Sequence, residues 1–270
     1  VLLDRQTEAI NAQLVGLTRS VSPDVLVAGN LTTLAAFTDS WDEGNFDLLV
    51  ENYRRQIRGL IDGGADLLVA ETLMYPQEAE AIFTAAELEQ AGAVMYSFTM
   101  TADGSLFSGP DAGPVLRELE AAGAAAVGFN CVAADMMTPY LVSKLRRFVK
   151  GPLICKPNAG NPVITENGIA QYSMLPGEFA EIIRQCAANG ATLIGGCCGT
   201  EAEHIGALAK AVSGLKTEPV SPAEPDKLPC ATEKQVFLLD VTAGYGNVLP
   251  CDEDLEDALF DEMEEDADMI

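Results

Sequence analysis

Positive charge is scarce in this chain: 16 Lys and Arg stand against 41 Asp and Glu in 270 residues, for a formal net charge of −25. A field of that sign repels nucleic acid and anionic membrane surfaces, so neither is an expected partner. Long apolar runs are missing as well. No stretch approaches the ~18 consecutive apolar residues of a spanning helix, and no segment has the make-up of a secretory signal. The seven cysteines are odd in number, irregular in spacing and include an adjacent pair. That is not a secreted disulfide framework, and a reducing cytoplasm fits better. No Cys-x-x-Cys occurs, which disfavours a thiol redox protein. No Gly-x-Gly-x-x-Gly loop follows an apolar run, which disfavours a dinucleotide-binding sheet.

What is present is one theme repeated. Short apolar runs at 25–29, 67–70, 93–98, 124–129, 152–155 and 192–195 alternate with helical periodicity at 46–61, 77–90, 114–122, 136–149, 177–188 and 202–212. A further helical pattern leads the chain. Gly-Ala steps before several runs (64–65, 92–93, 123–124, 190–191) suit helices that end at glycine and pass into strands. Near-continuous apolar strands between helices imply a parallel sheet covered on both faces. The class is α/β. Six βα units suggest a (β/α)8 TIM barrel lacking its first two strands in this chain, with an open doubly wound sheet as the alternative.

Residues 1–213 are assigned to this partial barrel, 214–231 to a Pro-rich linker and 232–270 to an acidic segment or the start of a further domain. Residues 214–270 hold 16 acidic against 3 basic residues. The chain opens inside a helical pattern and closes on Asp268-Met269-Ile270, which reads as the approach to another strand. Both ends are expected to be cut. The six strands should therefore leave a gap, and the 270 residues alone are not expected to catalyse.

The chemistry centres on Ile194-Gly195-Gly196-Cys197-Cys198-Gly199-Thr200. Adjacent side chains on a strand point to opposite faces, so two thiols converge only where glycine lets the backbone bend. Convergent thiols suit a metal, most plausibly zinc; a buried structural pair or a strained vicinal disulfide are the alternatives. In barrels of this kind functional residues sit at the C-terminal ends of strands. Glu71, Cys131 and the Cys197–Cys198 pair end alternate runs and so fall in one layer. Three thiolates with one open position form the pattern of a catalytic zinc site. Cys155 in a strand, Cys186 on a helix face, and Cys230 and Cys251 in the tail are expected to be small apolar residues. Three thiolates leave zinc a weak Lewis acid but a good host for a substrate thiol, which it deprotonates. The inference is alkyl transfer to a thiol. Glu71 would face a substrate ammonium, or else hold a barrel salt bridge.

Three ordered motifs then match a family. Val-Gly-Phe-Asn-Cys (127–131), Lys-Pro-Asn-Ala-Gly (156–160) and Gly-Gly-Cys-Cys-Gly-Thr (195–200) resemble the homocysteine S-methyltransferases. The resemblance covers roughly residues 1–213. Pro157-Asn158-Ala159-Gly160 with Pro162 looks most like the homocysteine domain of the cobalamin-dependent members. The resemblance implies Zn2+ on Cys131, Cys197 and Cys198, the homocysteine amino group on Glu71, and Asn130 and Asn158 shaping the substrate site. It also implies a methyl donor: a corrinoid protein, methyltetrahydrofolate through such a protein, betaine or S-methylmethionine, of which the Pro-rich linker and the sequence beyond it favour a methyl-corrinoid (cobalamin) domain or protein. Two departures stand out. The family's first-strand Asp-Gly-rich motif has no counterpart here, and Gly29-Asn30-Leu31 replaces a Gly-Pro-containing turn. His204, the single histidine, is expected to pack a helix end. A reading from another class is a non-catalytic, zinc-stabilised barrel that docks a corrinoid protein.

Overall fold

The apolar runs and helical periodicities become strands and helices in strict alternation. The computed structural model describes residues 6–21, 23–34, 41, 43–165, 167–215, 227–231 and 236–240. In order these are α1 (Thr7–Val21), β1 (Ala28–Thr32), α2 (Glu43–Asp62), β2 (Leu67–Leu73), α3 (Pro76–Leu88), β3 (Val94–Phe98), α4 (Ala112–Ala122), β4 (Ala126–Ala133), α5 (Thr138–Arg146) and β5 (Leu153–Asn158). A small hairpin of β6 (Val163–Ile164) and β7 (Ala170–Gln171) precedes α6 (Pro176–Ala188), β8 (Leu193–Ile194) and α7 (Ala202–Val212). No helix among the described residues is long and apolar enough to cross a membrane.

Six strands form one parallel sheet in the order β1-β2-β3-β4-β5-β8. Each strand is followed in the chain by a helix, as in the arc of a (β/α) barrel. Among the described residues β1 and β8 are the two end strands of this ladder. The central strands are buried nearly throughout, with Tyr96, Phe98 and Phe129 fully covered. Helices supply the outer layer through Tyr53, Ile57, Ile82, Leu116, Leu141, Leu145 and Phe179, all without exposed surface beyond 1%. Each such side chain contributes roughly 1.5–3 kcal/mol by leaving water. In β1 the burial alternates instead: Gly29 and Leu31 are covered while Ala28, Asn30 and Thr32 are exposed.

Local signals explain the joints. The Asp111 side chain accepts from the Gly113 N–H at the start of α4, and Gly123 ends that helix at φ 111°. Only glycine adopts such a φ cheaply, and Ala124 passes straight on towards β4. At Gly128 a Cβ would fall 2.1 Å from the Ile154 carbonyl oxygen, so β4 and β5 approach at a distance that no other residue permits.

The chain divides into two compact units, Val1–Ala223 and Glu224–Ile270. In the second, β9 (Lys227–Ala231) and β10 (Val236–Asp240) pair antiparallel. A strand thus occupies the last five residues of the expected linker, and the second lies within the segment assigned to 232–270. Pro229 obscured β9, because proline lacks the ladder N–H and is tolerated only at edges. The acidic run at 252–268 and Cys251 lie outside the described residues.

Candidate active site

Two kinked strand ends build the site. Thr72 (φ 59°) and Cys131 (φ 58°) both lie in the left-handed region, and at the same places the ladder slips register, between Ala70 and Leu73 and between Asn130 and Ala133. Residues other than glycine cost about 1–3 kcal/mol there and persist only when neighbours over-determine them. Asn130 is such a neighbour. Its Oδ1 accepts from the Thr72 N–H at 2.8 Å and from Ser97 Oγ at 2.6 Å, and its Nδ2 donates to Thr72 Oγ1 at 2.8 Å. One buried carboxamide therefore ties both kinks together.

The kink at Cys131 turns its thiol towards the loop after β8. That loop is laid along β5 by four hydrogen bonds: Gly195 N–H to the Cys155 carbonyl (3.2 Å), Cys197 N–H to the Pro157 carbonyl (2.9 Å), Ala159 N–H to the Cys198 carbonyl (2.9 Å) and Cys198 N–H to Asn158 Oδ1 (3.0 Å). At Gly199 (φ 74°) a Cβ would sit 2.1 Å from Tyr172 Cγ, so glycine is required for the Tyr172 ring to close over the loop. The sulfurs of Cys131, Cys197 and Cys198 all lie within 4.8 Å of one another, with Cys131 and Cys198 at 3.8 Å. A tetrahedral ion with bonds to sulfur of ~2.3 Å places its sulfurs about 3.8 Å apart. The three thiols can hold a metal ion. Cys131 and Cys197 are half-buried and Cys198 is exposed.

The cluster is electrically uneven. The Cys131 thiol hydrogen-bonds to Cys197 and, with help from the Asn130 amide and the Cys198 backbone, holds Cys197 down to about 5. Asn130 Nδ2 lies 3.6 Å from that sulfur. Cys131 is pushed up by the same partnership and by burial. Burial, and next the nearby Cys198, raise Tyr172.

Glu71, one residue before the first kink, turns into the same mouth. Asn30 Nδ2 donates to its Oε2 at 2.9 Å, and Lys156 Nζ forms an ion pair with its Oε1. Sequence reasoning quoted the Lys156 motif without giving Lys156 a role. The available signal was an ammonium directly after an apolar run. Asn30, in the departing turn, likewise joins Glu71. The two sequence-derived asparagines contact the thiol-bearing backbone and sulfur. Cys155 and Cys186 are fully buried away from the mouth, and burial, then Cys186, raises the Cys155 thiol. His204 packs a helix start: its Nδ1 accepts from the Glu201 N–H at 3.1 Å, which leaves Nε2 to donate to the Met174 carbonyl at 3.0 Å.

Comparison with known proteins places this architecture. The homocysteine S-methyltransferase family model matches residues 2–212. Methionine synthase of Mycobacterium tuberculosis is 31% identical over 177 residues, which are 63% of this chain and 15% of that protein. Methionine synthase of Mycobacterium leprae is 32% identical over 167 residues, 60% of this chain and 14% of that protein. The chain thus spans about 15% of the length of these relatives. The crystal structure of the homocysteine methyltransferase MmuM from Escherichia coli in its apo form aligns with TM-score 0.62 and 27% identity, covering 77% of this chain and 75% of that one. The metallated form aligns with the same score at 26% identity, covering 77% and 72%. Since the matched span takes in every strand of the parallel sheet together with Glu71 and the three clustered thiols, the chain belongs to the homocysteine S-methyltransferase family.

Proposed function

We propose that the full-length protein transfers a methyl group to the thiol of homocysteine, giving methionine, and that Cys131, Cys197 and Cys198 hold a zinc ion for this purpose. The observation that carries the reading is the mutual approach of three sulfurs, within 4.8 Å, beside the Glu71 carboxylate. Zinc on these thiolates would take the substrate thiol at its open position and keep it deprotonated at neutral pH, where a free thiol is only a few per cent thiolate.

The chain's own side chains do the rest. Glu71 takes the substrate ammonium, with Asn30 fixing one of its oxygens. Asn130 holds the Thr72 and Cys131 kinks and directs an N–H at the Cys197 sulfur. Asn158 anchors Cys198 through its backbone. In the reaction the substrate sulfur forms a bond to the donor's methyl carbon, and the electron pair of the broken bond stays with the donor. The thiol proton has already left to solvent. A methyl-corrinoid domain or protein is the proposed donor, supported by likeness to methionine synthases far longer than this chain. Residues 1–213 are the proposed catalytic portion, working in a reducing compartment such as the cytoplasm that keeps the thiols free.

Zinc-edge absorption of the full-length protein, with and without homocysteine, tests the proposal. Sulfur neighbours should rise from three to four on adding homocysteine. An unchanged count would identify a structural ion, as in a docking module without catalysis.

A further inference from the structure

We infer that Lys156 is the residue that binds the substrate carboxylate, so that Lys156 and Glu71 together select an α-amino acid thiol over simpler thiols. This rests on the homocysteine reading above and deepens it.

Lys156 Nζ and Glu71 Oε1 form an ion pair although their strands, β5 and β2, are not neighbours in the sheet. The lysine reaches across the mouth. A Cβ added at Gly195 would lie 3.4 Å from Lys156 Cγ, so its aliphatic stem lies against the first residue of the thiol-bearing loop. The stem thus lies along the thiol-bearing loop while the ammonium rests on the Glu71 carboxylate. An α-amino acid carries opposite charges on one carbon, and this pair offers the complementary charges in direct contact. When substrate enters, its ammonium replaces Lys156 on Glu71, and its carboxylate takes the released lysine. Without substrate the two side chains satisfy each other, which avoids an unpaired charge at a half-buried site.

A cation here also moderates the charge of the site. Three thiolates around a divalent ion leave −1, and Glu71 adds another negative charge. Homocysteine then brings an ammonium that offsets Glu71, a carboxylate and a sulfur that loses its proton. The last two negative charges would meet repulsion from the cluster in a partly dehydrated site. Lys156 offsets it. A thiol lacking one of the two groups leaves one member of the pair unanswered, which is how such a site discriminates.

The test compares three thiols by calorimetry on the zinc-loaded full-length protein: homocysteine, 3-mercaptopropylamine (no carboxylate) and 4-mercaptobutyrate (no amine). Lys156→Gln should weaken homocysteine and 4-mercaptobutyrate roughly tenfold or more, as expected for a lost charge-assisted hydrogen bond. It should leave 3-mercaptopropylamine unchanged or tighter, because Glu71 then has no internal competitor. Lys156→Arg should restore part of the loss, and full zinc content in each variant reports an intact site. If 3-mercaptopropylamine loses as much as homocysteine, or if no thiol loses affinity, Lys156 does not bind the carboxylate. Failure of the wild type to bind homocysteine at all would instead overturn the underlying reading together with this one.

Discussion

Two groups of cysteines lie within one arc of sheet and have opposite chemistry. Cys155 and Cys186 sit in the layer between β5 and α6 with no exposed surface, and burial keeps Cys155 protonated. Cys131, Cys197 and Cys198 sit at the strand ends, partly open to water and within 4.8 Å of one another. Residue type does not separate the groups. The strand face and the backbone do: Cys155 precedes Lys156 on the same strand, and successive side chains take opposite sides of a sheet. One faces the helices and the other the mouth.

The largest effect that tests this contrast is on metal content. Cys198→Ala in the full-length protein should abolish stoichiometric zinc, read by elemental analysis. Cys186→Ala should keep the zinc and lower stability by about 1–2 kcal/mol in thermal or denaturant unfolding. Zinc retained in Cys198→Ala would break the comparison.

A smaller effect belongs to the carboxylate beside the mouth cluster. Glu71→Gln should leave zinc in place and weaken homocysteine binding by about 1.5–3 kcal/mol, as expected for a charge-assisted hydrogen bond. The binding of 4-mercaptobutyrate, which has no amine, should be unchanged or tighter, because Lys156 then has no internal competitor. If it falls too, Glu71 supports the metal or the fold instead.

The smallest effect is in labelling rate and requires only mild conditions. Metal-stripped protein treated with a thiol alkylator at pH 6 should label Cys197, which is already thiolate above about 5. Below that pH the rate should drop about tenfold per unit as the thiolate is protonated. Cys155 and Cys186 should react only on unfolding. Mass spectrometry of the labelled peptides distinguishes them, and early labelling of Cys155 would show that the core pair is accessible.

The parts of the molecule legible in sequence are those with a short-range physical cause. Apolar runs marked the six strands of the sheet, four of them behind a Gly-Ala step, because a strand covered on both faces must be apolar almost throughout; β1, with alternate residues exposed, was caught only at its start. Glycines around Cys197 and Cys198 marked a bend for convergent thiols. The ends of β4 and β5 were harder to see. The apolar run at 124–129 stopped short of Ala133, and the run at 152–155 missed Lys156 and Asn158, because polar side chains facing a barrel mouth look like loop. The left-handed kinks were invisible for the opposite reason: Thr72 and Cys131 are not glycine, and a carboxamide 58 residues from Thr72 makes that kink tolerable. The Glu71–Lys156 pair joins positions 85 residues apart on non-adjacent strands, which no periodicity records. The β6–β7 hairpin has two-residue strands whose Val163 and Ile164 are exposed, so it has no buried face to leave a pattern.

The paired kinks also set different rules for improving the protein by mutation. At Thr72 the strain and the thiol chemistry are separable: a glycine there would keep the N–H that Asn130 accepts and lose the Oγ1 that accepts from its Nδ2, while relaxing a conformation that a β-branched residue adopts only under duress. At Cys131 they are not, because every residue that would relax the backbone removes a sulfur from the cluster. A library selected for heat resistance alone should therefore drift at both positions. Selection that also demands the proposed methyl transfer should let position 72 change and hold position 131 where it is, so the two strand ends, alike in geometry, would have opposite evolutionary freedom.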